Sequence, residues 1–179
     1  MTQHAPDLAA ALSAAILHVP DFPKPGVGFK DITPVLHDPA LFRRVTDAIA
    51  AHWRPAGISH VLAIESRGFL FGAPVAQALG AALVPLRKPG KLPRERVSER
   101  YALEYGTDAL EIHADAVGAG ARTLIVDDVL ATGGTAAAAV RLAERCGADV
   151  AGVAVVIDLS FLPWRQALEG RIVQALVRY

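Results

Sequence analysis

Residues 124–135, Leu-Ile-Val-Asp-Asp-Val-Leu-Ala-Thr-Gly-Gly-Thr, gather the residue types of an anion site and a hydroxyl site into one short stretch. An apolar run reaches the paired acids Asp127 and Asp128, a turn of small residues follows, and an Ala-rich segment begins at Thr135. That order reads as a buried parallel strand, two carboxylates at its C-terminal edge, and a loop opening a helix. From Ala131 to Thr135 the loop has the means to hold a phosphate. Gly133 and Gly134 let the backbone approach an anion, and Thr132 and Thr135 add hydroxyl donors. The helix that follows aims unpaired N–H groups and the positive end of its dipole at the same point. The acids would repel phosphate but can accept hydrogen bonds from sugar hydroxyls. An anion cradle beside a hydroxyl reader suits a sugar phosphate. A Walker phosphate loop fits poorly, because its Gly-Lys-Ser/Thr ending is missing.

The elements that must position these residues alternate along the chain. Residues 7–18 are rich in Ala and Leu and read as a helix ended by Pro20. The Pro/Gly-rich segment 20–29 is neither regular helix nor strand interior, since Pro lacks the N–H and Gly loosens the backbone. A helix over 39–54 follows, with Asp38 as N-cap and Pro39 in the first helical position. Residues 61–64 read as a short buried strand, 71–79 as a helix and 82–86 as a strand. Segment 94–115 is polar and charged and reads as a hairpin or mobile loop. Strand 123–126, helix 135–146 and strand 150–157 complete a βαβ series. Apolar strands alternating with helices predict a mostly parallel sheet covered on both faces. Ligands in such folds gather at the C-terminal strand ends, and Glu65, Arg87, Asp127 and Asp158 all fall there.

The acid–glycine stretch resembles the phosphoribosyl-pyrophosphate (PRPP) signature of the type I phosphoribosyltransferases, most of all the members that use adenine. The similarity continues through Pro20-Asp21-Phe22-Pro23-Lys24-Pro25-Gly26, Lys30-Asp31-Ile32-Thr33-Pro34, Glu65-Ser66-Arg67-Gly68-Phe69, Arg87-Lys88-Pro89-Gly90-Lys91-Leu92-Pro93 and Leu103-Glu104-Tyr105-Gly106. These blocks keep the family's order over nearly the whole chain. The resemblance implies the type I fold in one domain spanning 1–179. That fold is a mostly parallel, twisted α/β sheet flanked by helices. An N-terminal hood over residues 1–35 and a flexible catalytic loop complete it. It also implies a pentosyltransferase of purine salvage, moving the 5-phosphoribosyl group of PRPP to N9 of adenine and giving AMP and pyrophosphate.

Roles follow residue by residue. Arg67, in a strand-to-helix turn, offers a planar, permanently charged fork to pyrophosphate. The resemblance places Glu65, Ser66 and Arg67 in the pyrophosphate loop and implies a cis peptide between Glu65 and Ser66. It assigns Arg87, Lys88 and Lys91 to pyrophosphate, with Arg87 reaching the neighbouring subunit of a homodimer. Asp127 and Asp128 hold the ribose hydroxyls, and Ala131, Thr132, Gly133, Gly134 and Thr135 hold the 5′-phosphate. Phe29 is a flat apolar surface on which a purine can stack. Main-chain groups around Gly28 and Lys30 read the purine edge, with Leu159 on the opposite face. Gly28 stands where the family often has Val, which implies a looser pocket. Guanine- and hypoxanthine-using relatives place a Lys before a late aromatic, and Asp158-Leu159-Ser160-Phe161-Leu162 has none. Glu104 and Tyr105 match the lid, where Glu104 relays the proton that the base must lose and closure excludes water. Magnesium is the implied cofactor, held mainly by pyrophosphate and ribose oxygens and by water, with no direct protein ligand.

Composition bounds the remaining possibilities. The chain has 179 residues, 53% of them hydrophobic and 20% charged, which suits a packed domain and not a disordered one. Eighteen acids balance eighteen bases, so no excess charge favours nucleic acid or an anionic membrane. One cysteine, Cys146, excludes an intramolecular disulfide framework and reads as a small buried apolar residue. No basic and apolar leader pattern and no run of eighteen apolar residues occurs, and the expected compartment is the cytoplasm. A transferase for guanine, xanthine or orotate stays open. A DNA-binding regulator lacks room for a helix-turn-helix, and an inactive PRPP binder would be expected to lose Arg67 or Glu104.

Overall fold

The computed structural model describes residues 5–102 and 107–179. In chain order the elements are α1 (Ala5–Ala15), β1 (Leu17–Val19), β2 (Phe29–Asp31), α2 (Thr33–His37), α3 (Pro39–Trp53), β3 (His60–Ile64), α4 (Gly68–Leu79), β4 (Ala82–Leu86), β5 (Arg96–Ala102), β6 (Thr107–His113), β7 (Arg122–Leu130), α5 (Gly134–Arg145), β8 (Asp149–Asp158), α6 (Trp164–Ala167) and β9 (Val173–Arg178). Five strands form the central sheet in the order β4-β3-β7-β8-β9, every neighbouring pair parallel. Two antiparallel ribbons, β1–β2 and β5–β6, stand outside it.

The sheet separates two apolar layers. On one side the α5 residues Ala136, Ala137, Ala138, Ala139, Val140, Leu142 and Ala143 pack with Leu62, Ile64, Ile125 and the hairpin residues Leu110 and Ile112. Small alanines let α5 lie close to the strands beneath it. On the other side α1, α3 and α4 cover Val61, Leu124 and Val126 with Leu12, Ile49, Trp53 and Phe71. Strands buried on both faces read as unbroken apolar runs, which is why β3 and β8 are legible from composition.

Register brings the strand ends together. Ala63 of β3 is level with Val126 of β7, Ile64 with Leu86 of β4, and Leu130 of β7 with Asp158 of β8. Several boundaries differ from the sequence reading. The first helix stops at Ala15 rather than residue 18, because Leu17–Val19 pair antiparallel with Phe29–Asp31. Strand β7 extends to Leu130, so the acid pair lies inside a strand and not beyond its end. Helix α4 begins at Gly68, three residues early. Cys146 is half exposed at the end of α5 instead of buried. Elements β9, α6 and α2 were not anticipated.

Asp38 caps α3 as the sequence suggests, its carboxylate accepting from the N–H groups of Ala40 (2.9 Å) and Leu41 (3.1 Å). Replacing it by Ala strands two donors and should cost about 1 kcal/mol. The expected result is a Tm lowered by roughly 2–4 °C with activity retained, measured by thermal unfolding at neutral pH.

Candidate active site

One cavity of about 880 Å³ opens along the C-terminal edge of the sheet. Of the residues singled out by sequence, Gly28, Phe29, Lys30, Glu65, Ser66, Arg67, Lys88, Asp127, Asp128, Ala131, Thr135 and Leu159 line it. Thr132, Gly133 and Gly134 line a smaller adjoining cavity of about 80 Å³, which shares Asp127, Ala131 and Thr135 with the larger one. Arg87 and Lys91 line neither. Glu104 and Tyr105 lie outside the described residues. Sequence reasoning missed His18, Phe161, Leu162 and Tyr179, which also line the large cavity. Their signal was weak: β1 and β9 were not recognised, and Phe161 stands in a loop as a single aromatic.

The small cavity is the mouth of α5. Gly133 takes a left-handed φ of +82° at the N-cap, and a Cβ there would lie 3.0 Å from Trp164 Cβ and 3.1 Å from Trp164 O. Both the turn and the packing beneath it therefore require glycine. Beyond it the first N–H groups of the helix have no intrahelical partner and face the loop.

The acid pair is held unevenly. Arg67 Nε donates to Asp128 Oδ2 at 2.5 Å, and Asp128 is almost wholly buried. Asp127 Oδ1 accepts the Asp128 N–H at 2.9 Å. Removal from bulk water raises the Asp127 carboxyl well above the ordinary range, and the adjacent Asp128 charge raises it further. The turn before α4 contains a cis peptide between Glu65 and Ser66, where the resemblance implied one. Glu65 itself does not pair with Arg67. Its carboxylate accepts from the Lys88 N–H (2.7 Å) and from Arg87 Nε (3.0 Å), and these bonds, the backbone one first, hold it below its usual range.

Lys88 points toward the hairpin. Its Nζ donates to Tyr101 Oη at 2.9 Å and pairs with Asp108, which is level with Tyr101 across β5 and β6. Burial would lower the ammonium pKa, but these two partners hold it raised.

On the other side of the cavity Phe29 is half buried, with Phe22 edge-on at 5.1 Å and the Arg67 guanidinium 5.4 Å from its ring centre. Lys30 sets its ammonium 3.7 Å from the centre of the Tyr179 ring. Leu159 follows the fully buried Asp158, whose carboxylate accepts from Trp164 Nε1 (2.6 Å) and Ser160 Oγ (2.9 Å). Among the described residues no group of three or more His, Cys, Asp and Glu is placed to hold a metal.

Asp127 makes the ligand-free fold sensitive to pH in an unusual direction. Its folded value lies above the ordinary 3.8, so the folded chain holds a proton that the unfolded chain has released between those two values. Stability from this group is therefore present at low pH and lost as pH rises through the raised value. Asp127→Asn should leave Tm unchanged near about pH 4 and raise it near about pH 8, by roughly 2–4 °C for each kcal/mol removed. Thermal scans of both proteins across that range test it, and a Tm difference independent of pH would contradict it.

Comparison with known proteins agrees with this geometry. A family model described as the phosphoribosyl transferase domain matches residues 32–160. An adenine phosphoribosyltransferase of Myxococcus xanthus is 57% identical over 155 residues, 87% of this chain and 84% of that one. One from a Parafrankia species is 60% identical over 163 residues, 89% of each chain. Among solved structures, adenine phosphoribosyltransferase from Saccharomyces cerevisiae, complexed with adenine and an imino-altritol bisphosphate, superposes with a TM-score of 0.91 at 41% identity. The match covers 96% of this chain and 99% of that one. With its parallel sheet, its acid pair and its glycine turn in the family's order, this chain belongs to the phosphoribosyl transferase family and, within it, to the adenine phosphoribosyltransferases.

Proposed function

We propose that the protein transfers the 5-phosphoribosyl group of PRPP to N9 of adenine, releasing AMP and pyrophosphate, as a step of purine salvage in the cytoplasm. The observation that carries this reading is the large cavity whose wall includes Phe29 and Leu159, the Asp127–Asp128 pair and the turn 65–67. A flat base, a ribose and a pyrophosphate each find suitable chemistry there.

In the proposed reaction the bond from C1′ to the pyrophosphate oxygen breaks, and the leaving group takes the electron pair. The N9–C1′ bond forms, and the base gives up its N9 proton. Adenine stacks on Phe29 against Leu159 while main-chain groups of Gly28 and Lys30 read its edge. The loop Ala131–Thr135 fixes the 5′-phosphate, so binding energy remote from C1′ aligns the reacting atoms. Asp127 and Asp128 accept from the 2′ and 3′ hydroxyls and favour the positive charge that grows on the ribose. Arg67 and Lys88 receive the pyrophosphate, each exchanging an internal carboxylate partner for a phosphate oxygen. Glu104 is assigned the N9 proton and Tyr105 a place in the lid.

Magnesium is the proposed cofactor. It is a hard cation that prefers oxygen ligands and keeps several waters. Its main ligands would be pyrophosphate and ribose oxygens with water, and no residue of this chain is assigned as a direct ligand. When bound, it supplies charge that neutralises the leaving group.

A homodimer is proposed as the working form. β4 is an edge strand whose Leu83 is 45% exposed, and Leu70 on α4 is equally exposed. Arg87 follows directly on β4. Within its own chain Arg87 pairs with Glu65 and lies over the Phe69 ring, outside the wall of the large cavity. That placement suits a cation serving a partner's site across a two-fold axis.

Two measurements test these readings. Purified protein with PRPP, Mg²⁺ and each purine in turn should form AMP from adenine. Adenine should be preferred over hypoxanthine by about a hundred-fold in kcat/KM, because fixed main-chain groups would face hypoxanthine's carbonyl with an acceptor. Comparable efficiency with hypoxanthine or guanine would exclude this pocket. For the dimer, an inactive Arg87→Ala chain is mixed with an inactive Asp127→Asn chain under subunit exchange. Recovery of activity in the heterodimer is the expected outcome, and none despite demonstrated exchange would place Arg87 within its own subunit.

A further inference from the structure

Gly28 does not owe its identity to the backbone. Gly26, two residues earlier, has a left-handed φ of +83°, but Gly28 has none, so its backbone would accept an ordinary side chain. The obstacle is a neighbour. A Cβ on Gly28 would lie 2.7 Å from His18 Cε1 and 3.6 Å from both His18 ring nitrogens. These three ring atoms are the nearest that such a Cβ would meet.

The imidazole is thus seated where a residue 28 side chain would otherwise begin. Cε1 lies between Nδ1 and Nε2, so the edge carrying both nitrogens faces the Gly28 backbone. Strand pairing holds it there, since His18 of β1 is directly opposite Lys30 of β2. His18 lines the large cavity together with Gly28, Phe29 and Lys30. His18 itself is exposed. A pocket missing a side chain at residue 28 is therefore not simply looser, because a ring from the facing strand occupies the space.

We propose that His18 is a specificity-determining residue of the purine subsite, its imidazole forming the wall beside the base that Gly28 lacks a side chain to form. The proposal rests on the reading of Gly28, Phe29 and Lys30 as the adenine-binding segment. Its consequence is that residues 18 and 28 act as one unit. Any side chain at 28 displaces the ring, and loss of the ring leaves the base unsupported on that side. Neither change touches the phosphate loop or the acid pair, which lie on other elements.

The test is a double-mutant cycle in the full chain, with steady-state kinetics in adenine and PRPP measured separately. His18→Ala should raise the KM for adenine about ten-fold, the loss expected for one well-packed contact, and leave the KM for PRPP within about two-fold. Gly28→Ala should raise the adenine KM similarly by pushing the imidazole aside. In the double variant the two effects should not add, and the adenine KM should match that of His18→Ala alone. Thermal scans check folding, with Tm values within about 2 °C of wild type expected for an exposed residue. An unchanged adenine KM in His18→Ala overturns the proposal, as does a Gly28→Ala effect that is the same with and without His18. Equal increases in both substrate KM values would reveal a merely structural role and would also overturn it. If wild-type protein forms no AMP, the reading of the base site fails first and the proposal falls with it. If AMP forms normally in every variant, only the role of His18 fails.

Discussion

Two adjacent carboxylates drawn out of bulk water repel one another, and the arrangement around Asp127 and Asp128 follows from how this chain accommodates them. Asp128 is neutralised by Arg67, which reaches it from the turn between β3 and α4. For that turn to come so close, the backbone at residue 68 must slide past β7. A Cβ on Gly68 would stand 2.8 Å from Val126 O and 3.0 Å from Asp127 Oδ1. Arg followed by Gly is thus a steric and electrostatic unit: one residue supplies the charge and the next makes room for it. Asp127 accepts a backbone N–H but holds no ion pair among the described residues, so its charge is costly in the ligand-free state. In the reaction proposed above, a cation growing beside it would relieve that cost.

Shared carboxylates tie the rest of the edge together. Glu65 joins the ends of β3 and β4 by accepting from Lys88 and Arg87 at once. Asp158 joins the end of β8 to the following loop through Trp164 and Ser160. Trp164 then packs beneath Gly133, so the glycine turn rests on the residue whose indole Asp158 anchors. A buried carboxylate satisfied by several donors specifies geometry more than it adds stability, because removing any one donor leaves a buried acceptor unmet.

What the sequence revealed divides along a physical line. Elements buried on both faces, such as β3 and β8, announce themselves through apolar runs, and α3 through its Asp-Pro start. The site residues were legible because their chemistry is carried by type and local spacing: Asp-Asp, Gly-Gly-Thr, Ser-Arg-Gly. Pairings were not legible. Arg67 and Asp128 are 61 residues apart, and Glu65 could as readily have been matched to Arg67 as to Arg87. Strand β9 escaped because it pairs on one side only and is half exposed along most of its length, so it lacks the apolar run of a central strand. With β9 went Tyr179, whose contact with Lys30 depends on the chain returning to the site at its last residue. The three-residue strand β1 was absorbed into the preceding helix, since Leu-His-Val continues an apolar pattern and only the pairing with Phe29–Asp31 ends it.

The β5–β6 hairpin shows how bonds far apart in sequence can meet in one element. Glu99 on β5 accepts from Arg141 and Arg145 of α5, each at 2.8 Å, and is itself mostly buried. This end of the hairpin is fastened to α5, whose N-terminal turn lines the small cavity. Nearer its tip, Tyr101 and Asp108 hold the Lys88 ammonium. The hairpin therefore touches the linings of both cavities, one through a helix and one through a single cation. Those attachments differ in what a ligand can do to them. The arginines that hold Glu99 lie outside the wall of the large cavity, whereas Lys88 lines it. An anion that competes for Lys88 would act directly on the Tyr101–Asp108 rung, while the arginines at Glu99 stand apart from that cavity. Such an anion would have a differential contact with the hairpin, which any ligand-linked change of conformation requires.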